Sequence, residues 1–149
     1  MPSPKLIHFV VCEDARVDSN GLLSVNGLIW APISASGPGA LPKIALVLTF
    51  AGMSGVQRSK MTINVRRDSE PVLHAETDWQ TRSPTDPDFH AFIQNVAPFP
   101  VPGAGSYTIR VGIDFGDGRS GIYTHGLRVD MPPGNPPAPP NDPRGGARA

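Results

Sequence analysis

The chain has 149 residues, 13 basic and 13 acidic, and carries no formal net charge. That length suits one domain with a real core, and a 39% share of hydrophobic residues excludes a disordered chain. The even charge balance leaves no basic stripe, which argues against nucleic acid or an anionic membrane surface as partner; Arg66-Arg67 is the one basic pair.

Sixteen glycines and eighteen prolines point to many turns, an extended tail, or both. No secretory leader is expected, because the apolar stretch Leu6–Cys12 is short and interrupted by His8. No run approaches the ~20 apolar residues of a membrane helix. A single cysteine, Cys12, cannot close an internal disulfide, so a reducing, cytoplasmic setting is expected.

The first strand is expected over 5–12, KLIHFVVC, apolar on both faces. It ends near Cys12, so CEDARVDSNG reads as a bend, with Asp18-Ser19-Asn20-Gly21 as the turn and Glu13 and Asp14 solvated beside it. A calcium loop would need oxygen ligands at fixed spacing and a closing glutamate, and that pattern is missing. A second strand follows over 22–30. Then comes a proline- and glycine-rich apolar loop, 31–42, and a third strand over 43–51, also apolar on both faces.

Period-two alternation marks the next strands. Met61, Ile63 and Val65 face inward on 59–67, and Leu73, Ala75, Thr77 and Trp79 share one face of 71–79. A polar loop, 77–89, carries Asp78, Asp86 and Asp88 and leads to a strand over 89–97. A second proline-rich loop, 97–105, precedes the clearest strand, 106–115, where Tyr107, Ile109, Val111, Ile113 and Phe115 share a face. Asp117-Gly118 reads as a hairpin tip. The last strand, 120–130, changes parity between Ile122 and Leu127, which predicts a bulge near His125-Gly126. The whole is an all-β chain, a two-layer antiparallel β-sandwich of about eight strands over residues 1–130. Residues 131–149 read as a Pro/Gly-rich extended or disordered tail.

Chemical signatures are thin. His8, His74, His90 and His125 lie on four different strands without the close pair of a zinc motif. Cys12 ends an apolar strand, where a thiol behaves as a small hydrophobe. Ser83, Ser106 and Ser120 lack a nucleophile-elbow sequence, and no phosphate loop or dinucleotide fingerprint occurs. No catalytic residue, cofactor or metal site is therefore expected. The contact candidates are Trp30, Pro38, Leu41, Trp79, Phe99, Val101, Pro136 and Pro139, from the loops, their flanking tryptophans and the tail. Phe99 and Val101 have two readings, exposed loop tips or a cap on the core.

Cys12, Asp14, Ala15, Gly21, Leu23, Gly27 and Trp30, with the later stretch PFPVPGAGSYTIRVGID (98–114), resemble an uncharacterised bacterial family of short single-domain β-proteins. The resemblance spans residues 5–130 and implies the fold, with no activity attached to it.

The expected function is a non-enzymatic sandwich that works by contact, as a protein-interaction or structural subunit of a larger assembly. Its partner would be another protein or further copies of itself. The alternative is a small-ligand or carbohydrate-binding module with Trp30 or Trp79 as a stacking platform. A metal-dependent hydrolase built from His74, His90, His125 and loop aspartates is the third reading.

Overall fold

Alternation along the sequence becomes two packed layers in the computed structural model, which describes residues 3–20, 22–80, 89–116 and 118–132. Eleven strands are formed among these residues, and no helix. They are β1 (Lys5–Val17), β2 (Leu23–Leu28), β3 (Ile33–Ser34), β4 (Gly39–Leu41), β5 (Ile44–Ala51), β6 (Arg58–Arg67), β7 (Glu70–Gln80), β8 (Phe89–Val96), β9 (Phe99–Val101), β10 (Gly105–Gly116) and β11 (Arg119–Asp130). One layer is a four-stranded sheet in the order β2-β1-β5-β8; the other is five-stranded, β3-β11-β10-β6-β7. Pairing is antiparallel except for β3, which runs parallel to the end of β11.

The inward residues of both layers make one core. Leu46, Leu48 and Phe50 from β5 meet Met61, Ile63 and Val65 from β6 and Tyr107, Ile109, Val111 and Ile113 from β10. Phe50 lies at its centre, edge-on to Phe92, Phe115 and Tyr123 at 5.8, 5.3 and 5.1 Å. The alternate residues of β5, Ala45 and Val47, join Cys12 and Ala15 in a second, smaller cluster. That is why 43–50 is apolar on both faces and is a strand, not a helix.

Three expectations need correction. The first strand does not end at Cys12: β1 runs on to Val17, pairing Asp14 with Asn26 and Ala15 with Val25. Glu13 and Asp14 thus sit on a strand, because a polar side chain facing solvent does not interrupt a ladder. No bulge occurs at His125-Gly126, where β11 stays in register with β10. The odd residues of β11 face inward throughout, and Ile122 is an outward apolar residue, 60% exposed. The irregularity in that hairpin lies between Asp114 and Gly116.

The third concerns the two proline-rich loops. They hold β4 and β9, which pair with each other, Leu41 opposite Phe99 and Gly39 opposite Val101. Phe99 and Val101 are buried, so they cap the core and are not exposed tips. Residues 133–149, with Pro136 and Pro139, and most of the 77–89 loop lie outside the described residues, as do Gly21 and Asp117.

Candidate functional site

The turn after β1 is built by one side chain. Asp18 Oδ1 accepts hydrogen bonds from the N–H of Asn20 at 2.8 Å and of Leu22 at 2.9 Å, and the Asp18 N–H donates to the Leu22 carbonyl. This fixes the register of β2 with Val17 opposite Leu23. Gly27 follows at φ +66°, a left-handed conformation that suits glycine, and a side chain there would run into Glu13. The Ile29 N–H then donates to the Val11 carbonyl at 2.8 Å, which holds the backbone where Trp30 leaves the sheet. The Trp30 side chain stands out in solvent, 85% exposed.

β2 is an edge strand, and its apolar residues are uncovered: Leu23, Val25 and Leu28 are all exposed, with Leu22 just before the strand and Val17 beside them. From Ser19 to Pro42 the chain carries no Asp, Glu, Lys or Arg. Soluble proteins normally guard an open edge with charge, proline or brevity. The others here mostly follow that rule. β7 carries Glu70, Glu76 and Asp78, β3 has two residues, and β9 contains Pro100 between Pro98 and Pro102. β8 is uncharged too, but Phe89 is its one large exposed apolar side chain. Trp30 also overlooks a cleft of about 610 Å³, lined by Val10, Leu28, His125, Leu127 and Arg128. His125 packs against Phe9 with the rings tilted at 53° and 5.3 Å apart, and its buried Nδ1 has no hydrogen-bond partner among the described residues.

Trp79 is elsewhere. It is half-buried, edge-on to Phe92 at 5.5 Å, with Nε1 buried and unpartnered, and borders a separate cleft of about 560 Å³ with Ser59, Asp78 and Asp114. Pro38 is exposed and Leu41 half-buried. Of the predicted contact residues within the described chain, Trp30 therefore joins an exposed apolar surface, while Trp79 does not share it. Leu22, Leu23, Val25 and Leu28 were not among the contact residues expected from sequence. Their alternation reads as a half-buried strand, yet the long charge-free run around them was legible and marks an unguarded edge.

The polar groups are dispersed. Lys43 Nζ lies 2.6 Å from Asp14 Oδ1, and this hydrogen bond holds the Asp14 carboxyl below the usual carboxylate range. Burial pushes the Cys12 thiol up, with the Asp14 charge adding to it, so the thiolate is disfavoured. The Cys12 Sγ is 3.7 Å from the Ala45 carbonyl. Burial pushes the His90 imidazole down, toward its neutral form. His74 is exposed and bonds Asn64 at 2.6 Å. Among the described residues no three His, Cys, Asp or Glu side chains converge as metal ligands, and no helix is long and apolar enough to cross a membrane.

A family of unknown function (DUF6941) matches residues 7–117 of this sequence. No curated protein matches it. Among solved structures, the C-terminal domain of Wzt superposes with a TM-score of 0.52 at 9% identity, over 89% of this chain and 76% of that one. CopC from Methylosinus trichosporium OB3b gives 0.38 at 14% identity, over 86% and 94% of the two chains. The soluble domain of PmoD from Methylocystis sp. ATCC 49242 (Rockwell) gives 0.42 at 11%, over 87% and 98%. At such identities the likeness to Wzt is one of fold alone, and nothing rests on the other two.

Proposed function

Because the chain belongs to a family of unknown function (DUF6941), which brings no activity with it, we propose a function from the geometry: a non-enzymatic β-sandwich that works by protein contact. The observation that carries this reading is the uncharged, apolar edge of β2 continued by Trp30. Exposed apolar surface of this kind is costly in water and is kept where a partner covers it. Tryptophan is the residue type most often found at the energetic centre of interfaces. The partner is a protein, not nucleic acid or membrane, and the setting is cytoplasmic, in keeping with a lone buried thiol.

The test is a tagged pull-down from the source cells, with wild type beside Trp30→Ala and Leu28→Glu. Both sites are exposed, so the variants should fold. A partner retained in stoichiometric amount by the wild type and lost by both variants is the expected result. Equal recovery from all three chains would overturn the placement of the interface.

A second reading rests on the 610 Å³ cleft beside Trp30, where an indole face next to His125 and Arg128 suits a flat or sugar-like ligand. Quenching or shifting of Trp30 fluorescence by a ligand panel supports it, and an unchanged spectrum across the panel removes it.

A further inference from the structure

We infer that the occupant of the β2 edge is a second copy of this chain, paired β2 to β2 in antiparallel sense about a two-fold axis at Val25. This rests on the contact reading above and names its partner.

The residues of β2 are close to palindromic in character. In an antiparallel pairing centred on Val25, Val25 faces its own mate. Ser24 faces Asn26, a hydroxyl opposite an amide, and Leu22 faces Leu28, both at least half exposed in the single chain. Leu23 lies across from Gly27, whose left-handed backbone (φ +66°) marks the end of the regular ladder and leaves room for the leucine side chain. Cross-strand pairs of this kind are the stabilising unit of a sheet, and each patch meeting its own copy is what a two-fold interface requires.

The pairing also continues a row that already exists. Ala15 is opposite Val25 and Cys12 is opposite Leu28 within one chain. The dimer extends the first of these to Ala15-Val25-Val25-Ala15 across the joint. The two four-stranded sheets become one of eight strands.

Charge favours the same occupant. A strand without charged residues gains nothing from an acidic or basic partner, and two copies of a chain with no net charge do not repel. The proline-rich segment 133–149 is poorly suited to the place, since proline has no N–H to give a ladder. The other uncharged edge, β8, would pair with β2 head to tail and leave a free β2 and a free β8 at the ends. That geometry grows into a filament and does not close.

The test is sedimentation velocity on the full-length chain over a dilution series. The wild type should sediment at twice 15.8 kDa when concentrated and dissociate on dilution, because one short strand per copy is a small interface. Val25→Lys sets two like charges across the axis and should be monomeric throughout. Ile122→Lys, on an exposed site of the other sheet, should leave the dimer intact. Val25→Cys should give a covalent dimer under mild oxidation, since paired Cα atoms on adjacent strands lie within disulfide reach; Ile122→Cys should not. Far-UV circular dichroism checks that each variant is folded.

A wild type that is monomeric at every concentration overturns the proposal, as does a dimer indifferent to Val25→Lys or growth past two copies. Monomers that still capture a different protein through Trp30 would sink the dimer and leave the contact reading standing. Monomers that capture nothing would remove both.

Discussion

Phe50 is fully buried and has three rings set edge-on around it, so truncation there leaves a void that rigid neighbours cannot close. Phe50→Ala should cost about 3–5 kcal/mol of stability in urea unfolding; a loss under about 1 kcal/mol would mean the core repacks freely. Asp14 gives a test of a different kind. Its carboxyl is lowered by Lys43, so the ion pair is complete above the ordinary carboxylate pKa and is lost as pH falls through the lowered value. An NMR titration should find Asp14 below the ordinary carboxylate range, and Lys43→Met should return it toward that range. An unchanged Asp14 titration in that variant would show that the pair is not formed in solution.

The turn of the β1–β2 hairpin hangs on Asp18 Oδ1, which satisfies two backbone N–H groups. Asp18→Ala should cost about 1–2 kcal/mol in chemical denaturation, with Asp18→Asn recovering part of it; no loss would show that water substitutes for the carboxylate. The strands themselves were largely legible from period-two alternation: β6 and β10 bury the residues the sequence predicts. What was not legible has physical causes. The outward Ile122 imitates a change of parity, because one apolar residue on a wet face costs little and leaves the pattern ambiguous. Glu13 and Asp14 imitate a strand end, because composition reports solvent exposure and says nothing of backbone pairing. The β4–β9 pair was hidden inside two loops because three-residue strands among prolines give no periodicity. Its caps, Phe99 and Val101, are placed by long-range pairing only.

At the scale of the molecule, a sandwich with a well-filled core leaves two uncharged edges among the described residues, β2 and β8, and β2 is the one that exposes several large apolar side chains. Charge, brevity or proline guards the β7, β3 and β9 edges; β8 lacks all three but exposes one large apolar side chain, Phe89, whereas β2 lacks all three and is lined with exposed apolar side chains. The candidate site was half legible from sequence. Trp30 stood out by type and position, whereas the exposure of Leu22, Leu23, Val25 and Leu28 depends on which strand ends a sheet, and strand order is a tertiary outcome. The contact reading requires this edge to be covered when the protein acts. Amide hydrogen exchange on the full-length chain, dilute and concentrated, tests it most directly. Exchange over residues 22–28 should slow as concentration rises, while the charged edge of β7 exchanges at the same rate in both samples. Exchange over 22–28 that stays equally fast at both concentrations, and in the presence of any captured partner, would contradict it.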